Sequence, residues 1–120
     1  ATTPLTREGF VVGSPSYIAP ESWRGKSTTV THAADVYALG ALVFRILAGH
    51  VPFQGDQLVE LVRLVTRAPR PSLVDKRSTL PKSIDPWVAR ALAIAPEDRF
   101  KSVREMWNEL LPILGTNVSK

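Results

Sequence analysis

Two carboxylates stand where a carboxylate is expensive. Asp35 lies near the start of the stretch 33–49, AADVYALGALVFRILAG, in which only Asp35 and Arg45 carry charge. Glu21 closes GSPSYIAPE, residues 13–21, beside Trp23 and Ile18. An unpaired buried charge is costly, so each of the two needs a partner. Glu21 has the setting of a carboxylate that faces an arginine. Asp35 has the setting of an acceptor for backbone N–H groups of another segment, which need not lie in this chain. Hydroxyls form the second reactive class. Thr2, Thr3 and Thr6 surround Pro4 and precede Arg7 and Glu8 in a loop-like run that shows no pattern until Phe10, Val11 and Val12, a short strand candidate. A phosphate on such a hydroxyl adds charge that can order a segment. Metal chemistry finds little support: cysteine is absent, and His32 and His50 have no partners at ligand spacing.

The elements that must position these groups read as helices. The stretch 33–49 is apolar on all sides, predicts a helix about 25 Å long, and calls for burial all round. Arg45 interrupts it before the ~20 apolar residues that a membrane span requires. Thr31 is its expected N-cap, Gly49 its stop, and Pro52 prevents resumption. Pro15 and Pro20 stiffen the preceding segment, and Pro20 can open a short helix. Residues 57–67 form a helix with the stripe Leu58, Leu61, Val62 and Val65, and with Val59 and Leu64 beside it. Residues 68–83 read as a loop, with Pro69, Pro71 and Pro81. Asp85 and Pro86 cap and open a helix to about Ala95, in which Trp87, Ala91 and Ile94 share a face. Pro96 to Arg99 is a turn. Ser102 and Glu105 have capping-box spacing. They precede Val103, Met106, Trp107, Leu110, Leu111 and Leu114 on one face, with Met106 and Trp107 expected in the core.

The 120 residues suggest one domain or part of one. Apolar residues make up 44% and charged residues 22%, ordinary globular values. The net charge of +4 raises a nucleic-acid reading. The basic residues Arg63, Arg67, Arg70, Lys76, Arg77, Lys101 and Arg104 are scattered, with no interleaved aromatic platform, so they read as solvated surface and not as a nucleic-acid interface. No signal-peptide pattern opens the chain. The expected location is the cytoplasm, or the cytoplasmic part of a membrane-anchored protein.

Four motifs in order carry a resemblance: GSPSYIAPE at 13–21, DVYALG at 35–40, GHVPF at 49–53 and PEDRF at 96–100. Together they resemble the C-terminal, helical lobe of a eukaryotic-like serine/threonine protein kinase, in a style similar to bacterial members. The fold implied is mainly α, a C-lobe fragment with a buried central helix, three further long helices and a short one. Residues 1–12 would end the activation loop, 13–114 would be the helical subdomain and 115–120 a tail. The resemblance implies that Ser14 bonds near the catalytic carboxylate and marks Ser/Thr specificity. It implies that Ser14, Pro15, Ser16 and Tyr17 face the substrate, and that Glu21 pairs with Arg99. Asp35 would bond the catalytic-loop backbone. Thr6, then Thr3 and Thr2, would be activating phosphosites.

The Gly-rich loop, strand lysine, H-R-D loop and D-F-G motif of such kinases do not occur in the chain. ATP and Mg²⁺ would be held by the full-length protein upstream, and this fragment alone would neither bind them nor catalyse transfer. The expected partners are a protein substrate, the upstream N-lobe and catalytic loop, and a regulator on the helix Gln57–Arg67. An alternative of a different class stays open: a non-catalytic helical scaffold or pseudokinase module. With Asp35, Ile18 and Tyr17 facing absent segments, the chain alone is expected to be marginal, below about 5 kcal/mol.

Overall fold

The computed structural model describes residues 14–25 and 31–115. They form helices α1 (Pro20–Trp23), α2 (His32–Ala48), α3 (Leu58–Arg67), α4 (Leu73–Lys76), α5 (Ile84–Ala91) and α6 (Val103–Gly115), with 3₁₀ turns at Ser14–Tyr17 and Pro96–Asp98. No strand occurs among the described residues.

Local chemistry sets the ends of α2. The Thr31 hydroxyl accepts the Ala34 N–H at 3.2 Å. At the other end Gly49 adopts φ +90° and donates its N–H to the Arg45 carbonyl at 2.8 Å. Between these caps Val36, Tyr37, Gly40, Ala41, Val43 and Phe44 are buried, and α4, α5 and α6 pack against the helix. Among the described residues, burial all round, expected from the sequence, does not hold. Asp35 is exposed, Leu42 is 41% exposed and Ile46 68%. Positions 35, 38, 39, 42 and 46 recur at helical spacing, so α2 carries a second, largely apolar stripe that the described residues cover only in part, at Ala38 and Leu39. The apolar composition states what the helix needs around it; the described residues do not meet all of that need.

The three-helix surround differs from the expectation in three places. The loop 68–83 contains α4, whose first turn is held from a distance. The Asp85 carboxylate accepts N–H groups of Leu73 at 2.8 Å and Val74 at 3.2 Å, and the Ser72 hydroxyl also donates to it. Asp85 therefore caps α4 and not its own helix, which has Ser83 at the N-cap with no side-chain cap bond. Replacing Asp85 by alanine removes these acceptor sites and is expected to lower stability by about 1–2 kcal/mol in a urea melt. Helix α5 ends at Ala91 and not near Ala95, because Ala95 precedes Pro96 and is extended at ψ 126°. In α6 the Ser102 half of the capping box forms, with Glu105 N–H donating to the Ser102 hydroxyl at 3.0 Å, while the Glu105 carboxylate accepts the N–H of Lys101, one residue before the cap, at 2.7 Å. Met106 and Leu110 are buried, but Trp107 is 45% exposed, with Val103 and Leu111 open beside it. Trp107 is thus not a core residue among these helices.

Helix α3 buries Leu61, Val65 and Thr66, keeps Leu64 against the core, and exposes Val59 at 74%. Its end is held by Arg70, which is not the solvated charge expected. The Arg70 guanidinium donates to the carbonyls of Ala68 (2.7 Å), Val65 (3.0 Å) and Leu92 (2.9 Å) and stacks 4.5 Å over Phe53. The C-terminal carbonyls of α3 and the end of α5 therefore share one cation.

Candidate functional site

The segment Ser14–Trp23 is irregular and proline-bearing, so it needs external anchors. Its backbone supplies a few: Ile18 N–H donates to the Pro15 carbonyl at 3.3 Å, and Pro20 sits in the first turn of α1. The principal anchor is Glu21. Arg99 donates Nη2–H to Glu21 Oε1 at 2.7 Å and Nη1–H to Oε2 at 2.9 Å, a bidentate pair. The same guanidinium donates from Nε to Ala93 O (2.8 Å), from Nη1 to Ala33 O (2.9 Å) and from Nη2 to Ile94 O (3.2 Å). All five donors of the fork have acceptors, and the Arg99 side chain is fully buried. One side chain thus joins α1, the first turn of α2 and the approach to α6. It lies 5.2 Å from the ring of Tyr37. Burial pushes the Tyr37 hydroxyl up to about 12, against the pull of Arg70 and Arg99.

Burial raises the affinity of the Glu21 carboxyl for a proton. The Arg99 hydrogen bonds, a backbone hydrogen bond and the charges of Arg99 and Arg24 outweigh that and hold its pKa below the usual 4.5. Unfolded Glu21 takes up its proton near the ordinary value, and folded Glu21 only at lower pH. Below 4.5 the unfolded chain therefore binds more protons. The pair's contribution is fully present above that value and is lost as pH falls through the folded pKa. The urea midpoint should drop on this acid limb, and Glu21→Gln should flatten the drop.

The other residues singled out by sequence divide. Pro15 is buried and Ser14 belongs to the 3₁₀ turn. Ser16 and Tyr17 are half-buried and line a hollow of about 410 Å³ together with Arg45 and the loop after α2. Asp35 faces a different hollow, about 450 Å³, with Tyr17, Ala38, Leu39 and Leu42. Glu21 and Arg99 are brought together; Asp35 stands apart from them on the open stripe of α2. Thr2, Thr3, Thr6 and the strand candidate at 10–12 lie outside the described residues.

Sequence reasoning missed the contact between Arg45 and Tyr17, where Nη1 donates to the phenol oxygen at 3.1 Å. The available signal was Arg45 itself, the one Lys or Arg in a 17-residue, mostly apolar helix. Among the described residues no three His, Asp or Glu side chains gather to hold a metal. Among the described residues no helix is long and apolar enough to cross a membrane.

Comparison with known proteins gives a consistent result. A profile of the protein kinase domain matches residues 4–110. The chain is 32% identical over 108 residues to the probable serine/threonine-protein kinase PknB of Lactococcus lactis, covering 90% of this chain and 17% of that protein. It is 41% identical over 97 residues to the serine/threonine-protein kinase PknE of Mycobacterium tuberculosis, covering 80% and 16%. Among solved structures, a double-mutant kinase domain of Mycobacterium tuberculosis PknI matches with a TM-score of 0.60 and 33% identity, over 83% of this chain and 34% of that one. The chain thus spans about one sixth of the length of the curated relatives it matches.

Proposed function

Because this chain belongs to the protein kinase family, we propose that it forms the substrate side of a serine/threonine kinase domain whose nucleotide-binding and catalytic groups lie upstream. In this reading residues 1–12 end an activation loop carrying phosphosites at Thr6, Thr3 or Thr2. Residues 13–114 are the helical subdomain, and 115–120 lead out of it. One observation carries the reading. Arg99 and Glu21 fix the segment Ser14–Trp23 against α2, while the adjoining face of α2, headed by Asp35, stays open. A rigid peptide-facing segment beside an open apolar face is what half of a two-part site needs.

The residues then have definite tasks. Ser14 supplies a hydroxyl toward the catalytic carboxylate. Pro15, Ser16 and Tyr17 shape the seat for the substrate residue that follows the phosphoacceptor. Asp35 accepts backbone N–H groups from the upstream catalytic loop and holds that loop on α2. Exposed Val59 supports a regulator contact on α3. ATP and Mg²⁺, bound upstream, supply the phosphoryl group and neutralise its charge. We place the domain in the cytoplasm, free or tethered to a membrane through other parts of the protein.

Equilibrium binding tests this division. The native, full-length protein should bind Mg²⁺–ATP, and residues 1–120 alone should not. Loss of nucleotide binding by the full-length protein would favour the non-catalytic scaffold.

A further inference from the structure

The hollow between the Ser14–Tyr17 turn and the Gly49–Gly55 loop has an uneven charge. Its volume is about 410 Å³, and the residues that line it include Arg45, His50 and Gln54 but no Asp or Glu. Arg45 is exposed. One of its N–H groups is given to the Tyr17 hydroxyl at 3.1 Å, which steers the guanidinium along the hollow. Among the described residues no carboxylate forms an ion pair with it, in contrast to Arg90 and Arg99. The remaining donors of its planar fork are those that recognise a carboxylate in a bidentate manner. His50 adds no competing acid: its Nδ1–H is given to the Val51 carbonyl at 2.9 Å and its ring packs edge-on to Phe44. The wall formed by Ser16 and Tyr17 is the same segment assigned above to the substrate.

We propose that this hollow receives an acidic side chain of the protein substrate, an Asp or Glu close to the phosphoacceptor, and that Arg45 is the specificity-determining residue that reads it. The inference rests on the kinase reading and adds the substrate class to it. Because Arg45 stays in contact with water, its discrimination is that of a partly exposed ion pair, about three- to fivefold between an acidic and a neutral residue. A basic residue at the same place is disfavoured further by direct repulsion.

Positional peptide libraries phosphorylated by the native, full-length protein test this, with Arg45→Gln and Arg45→Glu variants beside it. At one position near the acceptor, the wild type should prefer Asp and Glu. Arg45→Gln should lose that preference, and Arg45→Glu should turn it toward Lys and Arg. The same peptides with alanine in place of the acceptor are measured by equilibrium binding without nucleotide. Phosphorylation with a charge preference that Arg45→Glu leaves intact overturns the inference and spares the kinase reading. Binding that follows the charge of residue 45 without any phosphoryl transfer upholds the pocket and overturns the kinase reading. Neither transfer nor charge-dependent binding overturns both.

Discussion

Replacing Arg99 by methionine is expected to lower the stability of the chain by about 3–5 kcal/mol, enough to unfold a marginal domain. The variant keeps a similar volume, so the loss is polar. Glu21 loses both its hydrogen bonds to Arg99, and the carbonyls of Ala33, Ala93 and Ile94 lose the guanidinium donor. Glu21→Gln should cost less, about 2 kcal/mol, because Arg99 keeps three carbonyl acceptors and the amide still accepts one bond. The double variant should cost no more than Arg99→Met alone, since both changes remove one shared interaction. Additive losses in urea melts would mean that the two residues act separately. The ion pairs of Arg90 with Glu105 and Glu109 provide the control. Their side chains are 33–51% exposed, and Arg90→Met should cost below about 1 kcal/mol through lost charge.

Gly40 gives the second large effect. It lies inside α2, where glycine is about 1 kcal/mol worse than alanine by helix propensity alone. Yet a Cβ built at Gly40 would stand 2.9 Å from the Ala91 Cβ and 3.2 Å from Leu92 Cδ2. The Ala91 Cβ is fixed to the α5 backbone, so relief requires the two helices to move apart. Gly40→Val is therefore expected to destabilise by about 3 kcal/mol. Gly40→Ala should be a smaller net loss, as strain exceeds the propensity gain. Ala91→Gly should restore part of the loss in the Gly40→Ala background, although by itself it weakens α5. A Gly40→Ala variant that melts higher than wild type would show that α2 and α5 are not in close contact.

The sequence announced those features whose causes are local. Thr31 and Gly49 delimit α2 because an N-cap hydroxyl and a left-handed stop act within one turn. Ser102 and Glu105 did the same for α6. The pairing of Glu21 with Arg99 spans 78 positions. Spacing alone does not contain it; a family resemblance and the apolar setting of Glu21 pointed to it. Asp85 was misassigned because a carboxylate at a helix start suits a cap equally well when the N–H groups belong to another helix. Trp107 was misassigned for a related reason: periodicity defines an apolar face but not whether anything covers it. The same limit applies to α2, whose Leu42 and Ile46 look like core residues in sequence and are open here. Arg70 hid among scattered basic residues, although its position just beyond α3 suited it to the last carbonyls of that helix.

The central claim is that these residues are the substrate side of a working serine/threonine kinase. The most direct measurement is phosphoryl transfer from γ-labelled ATP by the native, full-length protein, followed by identification of the labelled residue. The account predicts label on serine or threonine, and its loss in an Asp35→Asn variant that still melts cooperatively. No transfer by a folded, nucleotide-competent native protein, or label confined to tyrosine, would contradict it.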